Sequence, residues 1–132
     1  MTTPESERLE TMLKAFGQAF NRHDADALVA MMTGDCVFRM AMGSDPNGTE
    51  VKGREAVRQA FLQTFKNFPD ARWVPRAPDF VAGNRGVSEW TFQATRKSDG
   101  VRFDMAGLDV FTFRDGKIAI KDSFRKERTP ES

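Results

Sequence analysis

Tyrosine is absent from this chain, and cysteine and histidine occur once each, as Cys36 and His23. A lone cysteine excludes a disulfide framework within the chain and a cysteine-based zinc site. A lone histidine excludes a histidine cluster for a metal, so no metal site and no cofactor are implied. Long apolar runs are also missing, and no segment is long enough to span a membrane. Neither charge sign dominates: 20 basic and 19 acidic residues leave a net charge of +1. Nothing in that balance points to nucleic acid or to an anionic membrane surface. The basic residues Arg125, Lys126 and Arg128 near the C-terminus read as solvated tail charge. The first residues, Met-Thr-Thr-Pro-Glu-Ser-Glu, are polar and acidic. They lack the basic start and apolar run of a signal peptide, so the expected location is the cytoplasm. The sequon Asn47-Gly48-Thr49 is then idle, and its Asn-Gly reads as a turn.

What the chain has instead is phenylalanine: 12 Phe and 2 Trp. Such an interior offers no phenol donors. Polar chemistry inside it must come from carboxylates, Ser, Thr, Lys, Arg or backbone. The length of 132 residues suits one domain with a real core, with 127–132 as a frayed tail.

The chain opens with a helical pattern over 4–22. Leu9, Leu13, Phe16 and Phe20 form one apolar stripe, widened by Met12, Ala15 and Ala19. Asp24 is placed to cap a short second helix over 25–32, which Gly34-Asp35 would end. Residues 36–42 alternate as a strand, with Phe38, Met40 and Met42 on one face. Residues 43–53 read as a loop. A third helix over 54–66 repeats Val57, Phe61 and Phe65, and Pro69-Asp70 stops it. Strands follow over 71–82, interrupted by Pro75 and Pro78, and over 85–96. The last 25 or so residues before the tail form two long strands joined at Asp115-Gly116, a strong hairpin signal. This order predicts an α+β fold: a strongly curved antiparallel sheet wrapped on three N-terminal helices, making a cone with an internal pocket.

On the first hairpin strand, Phe103, Met105, Gly107, Asp109, Phe111 and Phe113 share one face. Asp109 is the misfit. A carboxylate in a row of Phe and Met is paired, protonated or used. Its partner depends on the hairpin register. A two-residue loop pairs Arg114 with Lys117 and sets Asp109 against Asp122, a dyad that would titrate as a unit. That register gathers Ile118, Ile120 and Phe124 with the Phe residues. A three-residue loop pairs Phe113 with Lys117 and sets Asp109 against Lys121, with Ser123 and Arg125 on the pocket side. Ile118, Ile120 and Asp122 would then turn outward with Leu108 and Val110.

Four stretches resemble the nuclear-transport-factor-2-like superfamily, and within it the SnoaL-like group that includes ketosteroid isomerases and polyketide cyclases. They are Phe16-Gly-Gln-Ala-Phe-Asn-Arg-His-Asp24 with Ala27-Leu28, Gly53-Arg54-Glu55-Ala56, Phe68-Pro69-Asp70, and Leu108-Asp-Val-Phe-Thr-Phe-Arg-Asp-Gly-Lys-Ile118. The resemblance covers nearly the whole chain and implies the same cone. It speaks to fold more than to function, because this superfold hosts enzymes and non-enzymes. Ketosteroid isomerases use an Asp base and an oxyanion hole of a Tyr and a protonated Asp. By resemblance Asp109 matches the protonated Asp, Phe16 stands at the Tyr and Met40 at the base. Two of three groups are missing, which argues against dienol-type isomerisation and leaves a pocket and one acid. In enzymes of this family the positions matching Lys121 and Ser123 face the cavity, and the outer sheet face is an apolar dimer interface. That favours the second register.

The resulting expectation is a pocket for a small apolar organic molecule, with Asp109, Lys121 and Ser123 as candidate catalytic residues. Phe16, Phe20, Phe38, Met40, Phe61, Phe65, Met105 and Phe111 are the candidate ligand contacts. The chemistry would be an isomerase, cyclase, hydratase or hydrolase step by Asp-assisted proton transfer, or the protein is a non-catalytic binding or assembly module. A homodimer is expected through Leu108, Val110, Ile118 and Ile120, since exposed they would form too large an apolar patch. His23 reads as a cation at a helix C-terminus, Cys36 as a small buried residue, and Trp73 and Trp90 as part of the dimer face.

Overall fold

The computed structural model describes residues 3–128. The expected tail therefore lies mostly outside the described residues. Three helices, α1 (Pro4–Asn21), α2 (Ala25–Ala30) and α3 (Arg54–Asn67), pack into the curve of a seven-stranded sheet. The strands are β1 (Met32–Arg39), β2 (Glu50–Lys52), β3 (Arg72–Pro75), β4 (Phe80–Ala82), β5 (Arg85–Thr95), β6 (Arg102–Arg114) and β7 (Lys117–Arg125). They run in the order β2-β1-β7-β6-β5-β3, and β4 pairs with β5. The α+β cone read from the sequence is present. The sheet is mixed rather than wholly antiparallel, because β1 lies parallel to β7.

The helices form where the apolar stripes put them. A capping box between Thr3 and Ser6 starts α1, which buries Leu9, Leu13, Phe16, Ala19 and Phe20. His23 ends it with φ 57°, a left-handed position just past the cap. Its ring stacks on Phe65 with centroids 4.4 Å apart, and Nε2 donates to the Ala71 carbonyl at 2.9 Å. Asp24 then accepts from the Ala27 N–H at 3.1 Å and caps α2, as expected.

Four element boundaries differ from the sequence reading. First, α2 stops at Ala30, and β1 begins at Met32 rather than at Cys36. Met32 pairs with Ile118, and Gly34-Asp35 is an outward irregularity in β1 rather than a helix stop. Second, β1 ends at Arg39, and 43–49 is a tight turn. Gly48 adopts φ 73° there, and a Cβ would lie 2.1 Å from the Met40 carbonyl. Third, Glu50–Lys52 is a strand, too short to show a period. Fourth, the run over 71–82 is two strands, β3 and β4, on either side of Pro78.

The β6–β7 hairpin matches neither register weighed above. Asp115 and Gly116 both have positive φ, 53° and 75°, and form a two-residue loop with Arg114 opposite Lys117. Phe113 faces Ile118, but Thr112 faces Ile120, so Ala119 is an extra residue, a β-bulge. Beyond it Phe111 faces Lys121 and Asp109 faces Ser123. The bulge resolves the competition between core-making and polar placement. Ile118 turns inward and is fully buried, against the expectation that it faced outward. Lys121, Ser123 and Arg125 also turn inward, on the face expected for them, while Ile120 and Asp122 turn out.

Two apolar clusters result. The larger joins α1, α2, α3 and the hairpin tip through residues such as Leu13, Phe16, Phe61, Phe111 and Ile118. The smaller gathers Ala71, Trp90, Phe92 and Ala94. Both tryptophans thus leave the expected dimer face: Trp90 is buried, and Trp73 sits edge-on to Phe20 at 5.0 Å. Cys36 is fully buried in the larger cluster, and burial pushes its thiol up.

Candidate functional site

The site grows from the middle of β6. Asp109 points into the cone between Ser88 of β5 and Ser123 of β7. It is 6% exposed, so its oxygens need partners within the protein. Oδ1 accepts from Lys121 Nζ at 3.0 Å and from the Ser123 hydroxyl at 2.5 Å. Oδ2 accepts from the Trp90 indole N–H at 3.0 Å. Gly107 makes room for that indole. It lies opposite Trp90, and a Cβ there would be 2.5 Å from the indole ring.

Lys121 is 5% exposed. Its ammonium donates to Asp109 and, at 2.8 Å, to the Ser123 hydroxyl oxygen. It also lies 4.9 Å from the Phe20 ring centre and 4.7 Å from that of Phe38. A buried cation is thus held by one carboxylate, one hydroxyl and two aromatic faces. Ser123 closes the triangle: it receives from Lys121 and donates to Asp109. The three polar residues selected from the sequence are brought together.

Beside this triangle opens a cavity of about 420 Å³ between α3, the end of β1 and the inner faces of β5–β7. That size suits a small organic ligand. Phe20, Phe38, Met40 and Phe61 line it, and Lys121 and Ser123 reach its wall. Asp109 does not. With Phe16 and Phe111 it borders a separate void of about 40 Å³, which also touches Ser88, Trp90 and Lys121. That void has room for about one or two waters. Phe65 lies behind the wall, packed on His23, Phe20 and Trp73. Met105 packs against the smaller apolar cluster and lines no cavity described here.

Several wall residues were not among the ligand contacts expected from the sequence: Trp73, Trp90, Phe92, Phe103 and Arg96. The strand pattern of β5 held a signal, since Ser88, Trp90, Phe92 and Ala94 alternate inward. Arg125, read as tail charge in one light and as pocket-side in another, lies on the wall. Its guanidinium sits 5.4 Å from the Phe92 ring centre, and burial pushes it below its ordinary value.

A second groove of about 460 Å³ lies between α1 and the segment joining β3 to β4. Trp73 and Trp90 border both spaces. Asp79 lines the groove, and its carboxyl is pushed up by burial and by the Asp109 charge while Ser88 pulls it down. Among the described residues no group of three or more His, Cys, Asp or Glu could hold a metal ion. No helix there is long and apolar enough to cross a membrane.

Comparison with known proteins agrees with this architecture. No curated protein matches the sequence. Bal32a, from a soil-derived mobile gene cassette, superposes with a TM-score of 0.80 at 20% identity, covering 92% of this chain and 91% of that one. An NTF2-like protein of unknown function from Mesorhizobium loti gives 0.79 at 24% identity, over 96% and 98%. TerC, co-crystallised with polyporic acid, gives 0.75 at 19% identity, over 90% and 92%. Residues 13–120 match the SnoaL-like domain. This protein belongs to the SnoaL-like domain family.

Proposed function

We propose that the cone cavity binds a small, largely apolar organic molecule. The observation that carries this reading is the 420 Å³ cavity, walled by Phe and Met side chains, with Lys121 and Ser123 as fixed polar points. TerC shows that a protein of this fold has been crystallised with a small organic compound. A second reading, Asp-assisted proton transfer, rests on the polar triangle. In it the Ser123 hydroxyl takes a proton from a ligand carbon while passing its own to Asp109, and the Lys121 ammonium stabilises the enolate oxygen that forms. The partly exposed residues Leu108, Val110 and Ile120, with the exposed Phe124, are the face on which a second copy would dock. Ile118 has no part in it.

One ketone tests both readings. 2-Tetralone should quench the tryptophan fluorescence saturably in the wild type, and Ala60→Trp, which fills the cavity from α3, should abolish that binding. Absence of saturable binding to the folded wild type removes the cavity reading. In D2O, the proton-transfer reading expects faster deuterium uptake at the carbon beside the carbonyl, lost in Asp109→Asn and Ser123→Ala. Binding without exchange leaves a binding module.

A further inference from the structure

The charges on the cavity wall are unbalanced. Three cations line it, Arg96, Lys121 and Arg125, and no Asp or Glu does. Two of them are matched from outside the wall. Lys121 is held by Asp109 behind it, and Arg96 by Asp99, with contacts of 3.0 and 2.8 Å. Among the described residues Arg125 has no carboxylate partner; its guanidinium lies against the face of Phe92. Guanidinium stays charged at neutral pH, and its planar fork suits a carboxylate better than water does when the site is partly dry. The strand places it on the side of the hairpin that carries Lys121 and Ser123, next to Gly107 on β6. An apolar chamber with one unmatched guanidinium fits an apolar body bearing one negative group.

We infer that the cavity ligand is an organic anion, an aromatic or alicyclic carboxylate, whose acid group is recognised by Arg125 while its ring lies among Phe38, Phe61 and Phe92. This rests on the cavity reading above and narrows it to a chemical class. Burial supports it, since a guanidinium already pushed below its ordinary value gains from an anion placed beside it.

The test compares two probes of nearly the same shape, 2-naphthoate and 2-naphthalenemethanol, by calorimetry at neutral pH with the full chain. Naphthoate should bind the wild type about tenfold more tightly, the usual scale of a charge-assisted hydrogen bond to a partly buried partner. Arg125→Met should bring the two probes within about twofold, chiefly by weakening naphthoate. Arg125→Gln, which keeps a polar end, serves if the methionine variant does not fold. If the alcohol binds the wild type as well as the acid does, the inference falls and the cavity stands. The inference falls too if the acid preference survives in the variants. If neither probe binds, the cavity reading falls with it.

Discussion

The two ends of the cone are built from the same strands and do opposite things. At the closed end, beyond the bulge at Ala119, Phe113 and Ile118 face each other and join Leu9, Leu13 and Phe16 in one apolar cluster, which leaves a void of only about 40 Å³ beside Phe16. At the open end, Phe38, Phe61, Phe92 and Phe103 are as apolar, yet they enclose about 420 Å³. Composition does not separate these ends. Backbone placement does: one extra residue in β7 lets Ile118 and Lys121, three positions apart, both point inward. The polar triangle of Asp109, Lys121 and Ser123 lies between the ends and divides filled from empty space.

The largest expected effect comes from breaking that divider. Lys121→Met would leave Asp109 buried without its cation, a loss of roughly 3–5 kcal/mol in denaturant unfolding. Changing both, with Asp109→Leu and Lys121→Met, should recover most of it, to within about 1 kcal/mol of wild type or above it. If the single variant unfolds like wild type, the pair does not divide the cone electrostatically. If the double variant stays as weak as the single, the triangle holds the sheet by shape rather than by charge matching.

How much of this was legible follows from the physics of each residue. The helices were readable because Leu9, Leu13, Phe16 and Phe20, or Val57, Phe61 and Phe65, repeat with the helical period and are buried in the fold. The inward set on β6 was readable because strand alternation needs no knowledge of the partner. The partner of Asp109 was not, because register depends on a bulge, and an alanine between two isoleucines carries no mark of being unpaired. The two competing readings each held half: the loop length of one and the inward polar face of the other. Trp90 was misplaced for a related reason. Its position depends on the space left by Gly107 on the neighbouring strand, a pairing invisible along the chain. Nor could the sequence place Asp109 behind the cavity wall rather than on it, since that depends on where Lys121 and Phe20 end.

The same truncation at the two ends sharpens the contrast. Phe16 is 2% exposed and packs edge-on against Phe20 and Phe111. Phe16→Ala should cost roughly 3–5 kcal/mol, transfer plus a new void. Phe38 is 8% exposed and borders the 420 Å³ cavity, about ten times the void beside Phe16, so fewer contacts are lost and the new space merges with the cavity. Phe38→Ala should cost about half as much, and unfolding curves of the two variants side by side read the difference. Equal losses would mean that the open end is packed as firmly as the closed one.

The smallest effect concerns the second groove, and its value is in its sign. Asp79 has its carboxyl pushed up by burial first, then by the charge of Asp109, against a pull down from Ser88. The folded protein therefore holds that proton at pH values where the unfolded chain has released it. Stability from this group is present below the unfolded value and is lost as pH rises toward the folded value; above that, the ionised carboxylate is a standing cost. Asp79→Asn removes the cost, because an amide never ionises. The variant should melt slightly higher than wild type at pH 7, by roughly 1–2 °C once solvent screening is allowed for. The gap should close below about pH 3.8, where Asp79 is protonated in both states. Melting curves across that range would read it. A gap that widens toward acid would mean that Asp79 is stabilised as a carboxylate, and the groove would then resemble the divider more than the apolar wall beside it.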